Sequence, residues 1–299
     1  MLSRRTVLKG AAWLGASLTS FGAYAIGVEP MLWPSVVRYR ITPAGWPPGL
    51  KLRIVTLSDI HACDPWMSVN RIQSIVDTAN ALDGDIILLL GDYVAGSRLV
   101  KKYGDSSEWA PVLGQLKAPL GVHAILGNHD WWEDKTAMRD GRGPTFVHRA
   151  LAAVNIPVLD NDAVRLIHNG KPFWLAGLGD QIAFIPTRHL HGRRGDDDLA
   201  GTLRKLTDDA PAILMAHEPD IFPRVPLRIA LTLSGHTHGG QVNLFGWRPA
   251  SASRLSARYA RGHFSESGRD LLVSSGLGCS IAPIRVGVPP EIMVVELGQ

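Results

Sequence analysis

At 299 residues, with 45% hydrophobic and 19% charged residues and no low-complexity tract or internal repeat, the chain is long enough for one large or two modest domains around a real core. Of its formal charge of +4, three positive charges (Arg4, Arg5 and Lys9) lie in an amino-terminal stretch without acids. The remainder is close to neutral, which excludes the clustered basic face that a stable nucleic-acid partner requires. Two cysteines, Cys63 and Cys279, form no zinc-type framework; they could pair as one disulfide in an exported protein, but over two hundred residues apart they read rather as independent small core or rim residues.

In chain order, Ser3-Arg4-Arg5-Thr6-Val7-Leu8-Lys9 precedes an uncharged stretch from Gly10 to Val28, and Ala23-Tyr24-Ala25 offers a cleavage site. This describes a twin-arginine (Tat) export signal over residues 1–28, with Val7 where Phe is more usual. Its apolar length is near the lower limit for spanning a bilayer, so cleavage and retention as an anchor both stand open. Residues 29–50 hold five prolines and read as an extended lead-in to a domain over 51–299. There, 51–57 forms a strand ending at Ser58-Asp59-Ile60-His61, and Ser68 caps a helix with Ile72, Ile75, Val76 and Ala79 on one face. The strand 86–90 stops at Gly91-Asp92, and a helix near 107–117 leads to the strand 121–126, which ends at Gly127-Asn128-His129-Asp130.

Pro144 opens the next amphipathic helix, after which strands near 158–159, 164–167 and 173–176 form a meander with Asn169-Gly170 as a hairpin turn. A charged helix around 197–208 precedes the strand 212–216, ending at His217. The strand 229–233 ends at Gly235-His236-Thr237-His238, and strands at 271–273 and 292–295 close the chain. A β-α-β-α-β half followed by a mostly β half predicts a two-sheet α/β sandwich rather than one doubly wound sheet.

Five apolar strands thus end in Asp59 and His61, Asp92, Asn128, His217, and His236 with His238. Such residues are rarely buried without a task, and they gather at one edge of the sheets. Carboxylate, amide and imidazole donors suit two first-row dications (Mn, Fe, Zn or Co) sharing a bridging carboxylate. Two dications against two aspartates and a bridging hydroxide leave the site positive, as a phosphate substrate and phosphoryl chemistry require. The amide of Asn128 binds without cancelling that charge.

These motifs, in this order, resemble those of the calcineurin-like metallophosphoesterases over roughly residues 50–299, and the resemblance implies the α/β/β/α sandwich of that family. The frames Ser234-Gly235-His236-Thr237-His238-Gly239-Gly240-Gln241, Gly276-Leu277-Gly278 and Pro289-Pro290-Glu291-Ile292 are similar to its bacterial envelope phosphodiesterase branch, where Tat leaders occur. Carried over by position, one metal takes Asp59, His61 and His238, the other takes Asn128, His217 and His236, and Asp92 bridges. A metal-bridging hydroxide attacks phosphorus in line, while His129, oriented by Asp130, protonates the leaving oxygen. Ala95 departs from the acidic residue that many relatives carry there. The expected activity is hydrolysis of phosphodiesters, the substrate an envelope lipid or glycan, and the location the periplasm or cell envelope after Tat export, with possible membrane association. The rivals are UDP-2,3-diacylglucosamine hydrolysis, disfavoured by export, a metallopeptidase, disfavoured by the lack of a His-Glu-x-x-His run, and a non-catalytic metal- or phosphate-binding protein.

Outside these motifs, Arg188-His189-Leu190-His191-Gly192-Arg193-Arg194 reads either as a substrate-binding arm or as a solvated loop balanced by Asp196, Asp197 and Asp198. Trp131 and Trp132 read as a substrate rim or as core, and Cys63 as a small packing residue. His123, His148, His168 and His263 fit no motif and read as structural or surface histidines.

Overall fold

The structure is a computed structural model that describes residues 3–97, 99–186, 194–249, 251 and 253–298. The chain opens with α1 (Arg4–Gly27), whose first turn is closed by the Ser3 hydroxyl accepting from the Thr6 N–H. Then come β1 (Ser35–Ile41), β2 (Leu52–Leu57), β3 (Cys63–Asp64), α2 (Val69–Asn80), β4 (Ile86–Leu89), β5 (Lys102–Tyr103), α3 (Ser106–Leu113) and β6 (Val122–Ala124). The middle holds α4 (Asn128–Trp132), α5 (Lys135–Asp140), α6 (Phe146–Ala153), β7 (Asp162–His168) and β8 (Lys171–Gly177). The chain closes with α7 (Leu199–Arg204), β9 (Ala212–Met215), β10 (Ile229–Ser234), α8 (Arg254–Arg258), β11 (Gly262–Glu266), β12 (Arg269–Val273) and β13 (Glu291–Leu297).

The strands form a five-stranded sheet, β1-β13-β2-β4-β6, a six-stranded sheet, β11-β12-β10-β9-β8-β7, and a small β3–β5 pair. Strands β2, β4 and β6 run parallel, as do β8, β9, β10 and β12. Period-two alternation makes the layers. Ile86, Leu88 and Leu90 turn toward Phe173, Leu175, Ile213, Met215 and Leu233 of the other sheet. Ile87 and Leu89 turn the other way, onto Ile72, Ile75 and Val76 of α2. On the far side of the second sheet, Trp174, Ala176 and Leu214 meet Leu199 of α7 and Ile221. The result is an α/β/β/α sandwich. Each fully buried leucine in it contributes on the order of 2 kcal/mol of apolar transfer free energy.

Several elements differ from the sequence expectation. The 29–50 lead-in is extended but also contributes β1, paired in parallel with β13, because Val37, Tyr39 and Ile41 alternate inward. The helix placed near 107–117 ends at Leu113, and the one placed around 197–208 is the six-residue α7. Thr145, not Pro144, caps α6, accepting from the His148 N–H. Asn169 and Gly170, at φ 49° and 75°, make the expected turn between β7 and β8. Cys63 and Cys279 are both buried free thiols. Of the basic segment 188–194, only Arg194 lies within the described residues, and its guanidinium sits 4.6 Å over the Phe184 ring.

Candidate metal centre

Strands β2, β4, β6, β9 and β10 end along one rim, and the loops that follow turn sharply enough to bring their polar residues together. The sharpness is visible in the backbone. Asp59, His61, Asp92, His236 and His238 all take left-handed φ values between 48° and 68°, where a residue with a side chain is strained. Strain concentrated on five residues of one cluster marks a functional constraint. Gly91, at φ 93°, lets two loops touch: a Cβ there would lie 2.5 Å from the Gly127 nitrogen and 2.8 Å from His217 Nδ1. No side chain fits.

All seven expected ligands come together. Atoms of Asp59, His61, Asp92 and His238 lie within 4.8 Å of one another, as do atoms of Asp92, His217 and His236. Asp92 belongs to both groups. Asn128 joins the second through Oδ1, 2.9 Å from His236 Nδ1. Asp59, His61, Asp92, Asn128, His217 and His238 are buried, and the imidazoles are held from behind. His61 Nδ1 donates to the Val94 carbonyl at 2.9 Å and His217 Nδ1 to the Leu90 carbonyl at 2.7 Å. Those bonds fix the tautomer, so each Nε2 presents a lone pair.

The inward atoms then face each other in a way that needs positive charge between them. His61 Nε2 and His238 Nε2 are 3.1 Å apart, and His217 Nε2, buried without a hydrogen-bond partner, lies 3.2 Å from Asp92 Oδ2. Lone pairs and carboxylates converging in a buried site repel unless a cation sits among them, so the donor set fits two dications. The titration behaviour agrees. Burial, with Asp92 nearby, pushes Asp59 up to about 6, and burial pulls His61 down to about 4. Burial opposes it, yet the charges of Asp92 and Asp59 hold His217 well above its usual range: the position attracts positive charge.

His129 stands beside this cluster. Its ring is 5.1 Å from that of His61 and 5.1 Å from that of Trp132, and its Nε2 is 3.2 Å from Ser280 Oγ. Burial pulls its pKa down, but Asp92 and Glu133 outweigh burial and raise it. Asp130 does not take the orienting role expected of it. Its carboxylate accepts from the N–H groups of Asp92 at 2.9 Å, Tyr93 at 2.8 Å and Gly127 at 2.9 Å, which saturates it with backbone donors. The carboxylate nearest His129 Nδ1 is instead that of Glu133, at 3.9 Å. Asp130 ties the β4 loop to the β6 loop. Burial and the charge of Asp92 push it up to about 7.

A pocket of about 380 Å³ opens onto the cluster. Trp132, Ile182 and Ile281 supply apolar wall and Arg248 a cation. Trp131 and Trp132 therefore divide the two readings between them: Trp131 is buried against Phe184 and His148, while Trp132 lines the pocket. Cys63 packs in the core beside α2. His123, His148, His168 and His263 lie outside the cluster: His148 caps α6 and reaches Asp160 at 3.2 Å, His123 bonds the Leu120 carbonyl, and His263 bonds Asp270 at 2.7 Å on the surface.

Sequence reasoning missed three features here. Ser280, the partner of His129, lies in a loop with no motif of its own. Arg285 is wholly buried and donates to the carbonyls of Ser275, Gly276, Gly278 and Val288. Asp180 and Glu218 are buried behind His217, where burial and the charge of Glu218 push Asp180 well above the carboxylate range. Only Glu218, adjacent to His217, carried a sequence signal.

Residues 52–240 match the family model for calcineurin-like phosphoesterase. An uncharacterized metallophosphoesterase, YkuE, of Bacillus subtilis (strain 168) is 29% identical over 99% of this chain and 98% of its own length. A putative metallophosphoesterase of Caenorhabditis elegans, F40B5.2, is 32% identical over 82% of this chain, which spans 48% of that protein. A transmembrane protein with metallophosphoesterase domain from Danio rerio is 31% identical over 89% of this chain and 58% of its own length. Among solved structures, a dimetal phosphatase from Danio rerio aligns over 76% of this chain and 88% of its own, with TM-score 0.40 and 11% identity.

Proposed function

The chain belongs to the calcineurin-like phosphoesterase family, and from that premise we propose that it is an exported, membrane-anchored hydrolase of phosphodiesters. The observation that carries the enzymatic part is Asp92, shared by two ligand groups whose remaining donors are four imidazoles, one amide and only one further carboxylate, Asp59. That set would hold two dications and leave net positive charge for a phosphate. When bound, such ions supply Lewis-acid polarisation of a phosphoryl oxygen and activation of water at neutral pH.

The chain's own residues do the rest. Asp92 Oδ1 accepts the His129 N–H at 2.9 Å and so fixes the proton donor relative to the ligands. The charges of Asp92 and Glu133 raise the His129 pKa against burial, which suits it to deliver a proton from Nε2 to a departing oxygen, and Ser280 steadies the ring. Trp132, Ile281 and Arg248 line the space available to the second ester group.

Export and anchoring rest on the Tat-like leader and on α1, a mostly exposed helix that is long and apolar enough to cross a membrane. The metal requirement is tested on metal-stripped protein. Addition of Mn, Fe, Zn or Co should restore cleavage of bis(4-nitrophenyl) phosphate in preference to 4-nitrophenyl phosphate, and Asp92→Asn should reduce it by at least ~100-fold. Equal activity in wild type, Asp92→Asn and metal-free protein would refute the hydrolase reading, and a preference for the monoester would refute diester specificity alone.

A further inference from the structure

Phe245 occupies a position that the isolated domain gives it no reason to hold. Its side chain is fully exposed, at 108% relative accessibility, and its φ of 54° lies in the left-handed region that costs a bulky residue energy. With Gly246 at φ 96° it forms the tip of a tight hairpin, closed by Leu244 N–H to the Trp247 carbonyl at 2.9 Å and Trp247 N–H to the Leu244 carbonyl at 3.1 Å. Such a turn favours Asn-Gly, which satisfies itself in water. Here the tip is aromatic, and Trp247 beside it is 63% exposed. Ile281, at the pocket wall, is 79% exposed.

The hairpin's neighbours indicate what covers it. Its base is bonded to the segment 285–288: Val286 N–H donates to the Gln241 carbonyl at 2.9 Å and Asn243 N–H to the Val286 carbonyl at 2.8 Å. The same segment holds the end of α1, through Arg285 N–H to the Ala25 carbonyl at 3.0 Å and Val288 N–H to Glu29 Oε1 at 2.7 Å. The helix end and the hairpin base therefore flank one stretch of backbone, about two strand spacings (~10 Å) apart. Just past the helix end, Val28, Met31, Leu32 and Trp33 are exposed as well. Aromatic residues beside an arginine, here Trp247 and Arg248, suit the headgroup zone of a bilayer.

We propose that the 242–248 hairpin dips into the lipid bilayer beside the anchor helix, with Phe245 and Trp247 in the interface, which sets the pocket mouth at the level of the lipid headgroups. This rests on α1 lying in the membrane. The test uses the full chain in phosphatidylcholine–phosphatidylglycerol vesicles. Because Cys63 and Cys279 are buried, a fluorophore can be placed selectively at Phe245→Cys, with Ile167→Cys on the β7–β8 hairpin as the aqueous control. A lipid-borne nitroxide should quench the label at 245 several-fold more than the label at 167, and aqueous iodide should do the reverse. Trp247→Cys gives the same reading if the first variant does not fold. Equal quenching at both positions, with the chain still resistant to carbonate extraction, overturns the proposal. Release by carbonate overturns the anchor reading beneath it, whatever the label reports.

Discussion

Asp130 accepts three backbone N–H bonds, from Asp92, Tyr93 and Gly127, while its sequence neighbour His129 makes none of these contacts and faces Ser280 and Glu133. The two residues should therefore fail differently when replaced. Asparagine at 130 has one acceptor oxygen, so Asp130→Asn leaves at least one buried N–H unpaired and removes the charge the others were bonded to, at a cost on the order of 3 kcal/mol. The loops that carry Asp92 and Asn128 then loosen. Metal content after gel filtration, read by plasma mass spectrometry, should fall along with turnover. His129→Ala should instead keep the full metal complement while turnover drops by about 100- to 1,000-fold. Undiminished metal content in Asp130→Asn would show that it does orient His129 rather than brace the ligand loops. Nothing in Gly127-Asn128-His129-Asp130 announces this division, because a carboxylate that collects backbone donors has the same letter as one that orients an imidazole.

At the scale of elements, the strands that carry ligands were legible because a run buried on both faces has a plain signature: Ile86 to Leu90 is apolar throughout and then stops at a glycine and a carboxylate. β1 was not, since it sits at a sheet edge among prolines with only every second residue turned inward. The two residues of β5 are too few for any periodicity, and Ser280 and Arg285 reach the site only through a loop that the fold brings back. The acidic run before α7, a counter-charge to the basic segment in one of its two sequence readings, has a sharper property in the structure. Burial, the charge of Asp160 and a hydrogen bond shared with it push Asp196 up from 3.8 to about 7. Folding therefore binds a proton across that interval, and the stabilising contribution, complete below about pH 4, is lost as pH rises through 7. Asp196→Asn, which mimics the protonated acid, should raise the melting temperature at pH 8 by about 2 °C and leave it unchanged at pH 4, the gain being modest because the group is partly open to solvent. Calorimetry at the two pH values decides it; an equal gain at both would mean that the effect is not this ionisation.

For the molecule as a whole, the proposed export leader raises the question of whether it is shed, and the fold bears on it directly. The cleavage motif Ala23-Tyr24-Ala25 suggests an end at Ala25, yet Ala25 is buried and the residues after it are bound into the domain. The Trp66 indole donates to the Ile26 carbonyl at 2.7 Å, the Glu29 carboxylate is buried beneath the Val288 N–H, and the Arg71 guanidinium collects the carbonyls of Pro30, Met31 and Leu32. A protease needs its substrate extended, whereas here the scissile bond lies within α1 and is locked to the loop that carries Ile281 and Arg285. A protein exported already folded would present this bond in its protected form. At about 1.5 Å per residue, the 24 residues of α1 reach about 36 Å, enough to cross the hydrocarbon core; under the export proposed above, Arg4 and Arg5 would stay on the cytoplasmic side and the metal centre would lie outside. Intact-mass measurement of the membrane fraction should therefore find the chain with residues 4–25 still attached. An amino terminus at Ile26, in protein that keeps its metal and activity, would overturn the retained anchor and show that the contacts of Ile26, Glu29 and residues 30–32 with the domain form only after cleavage.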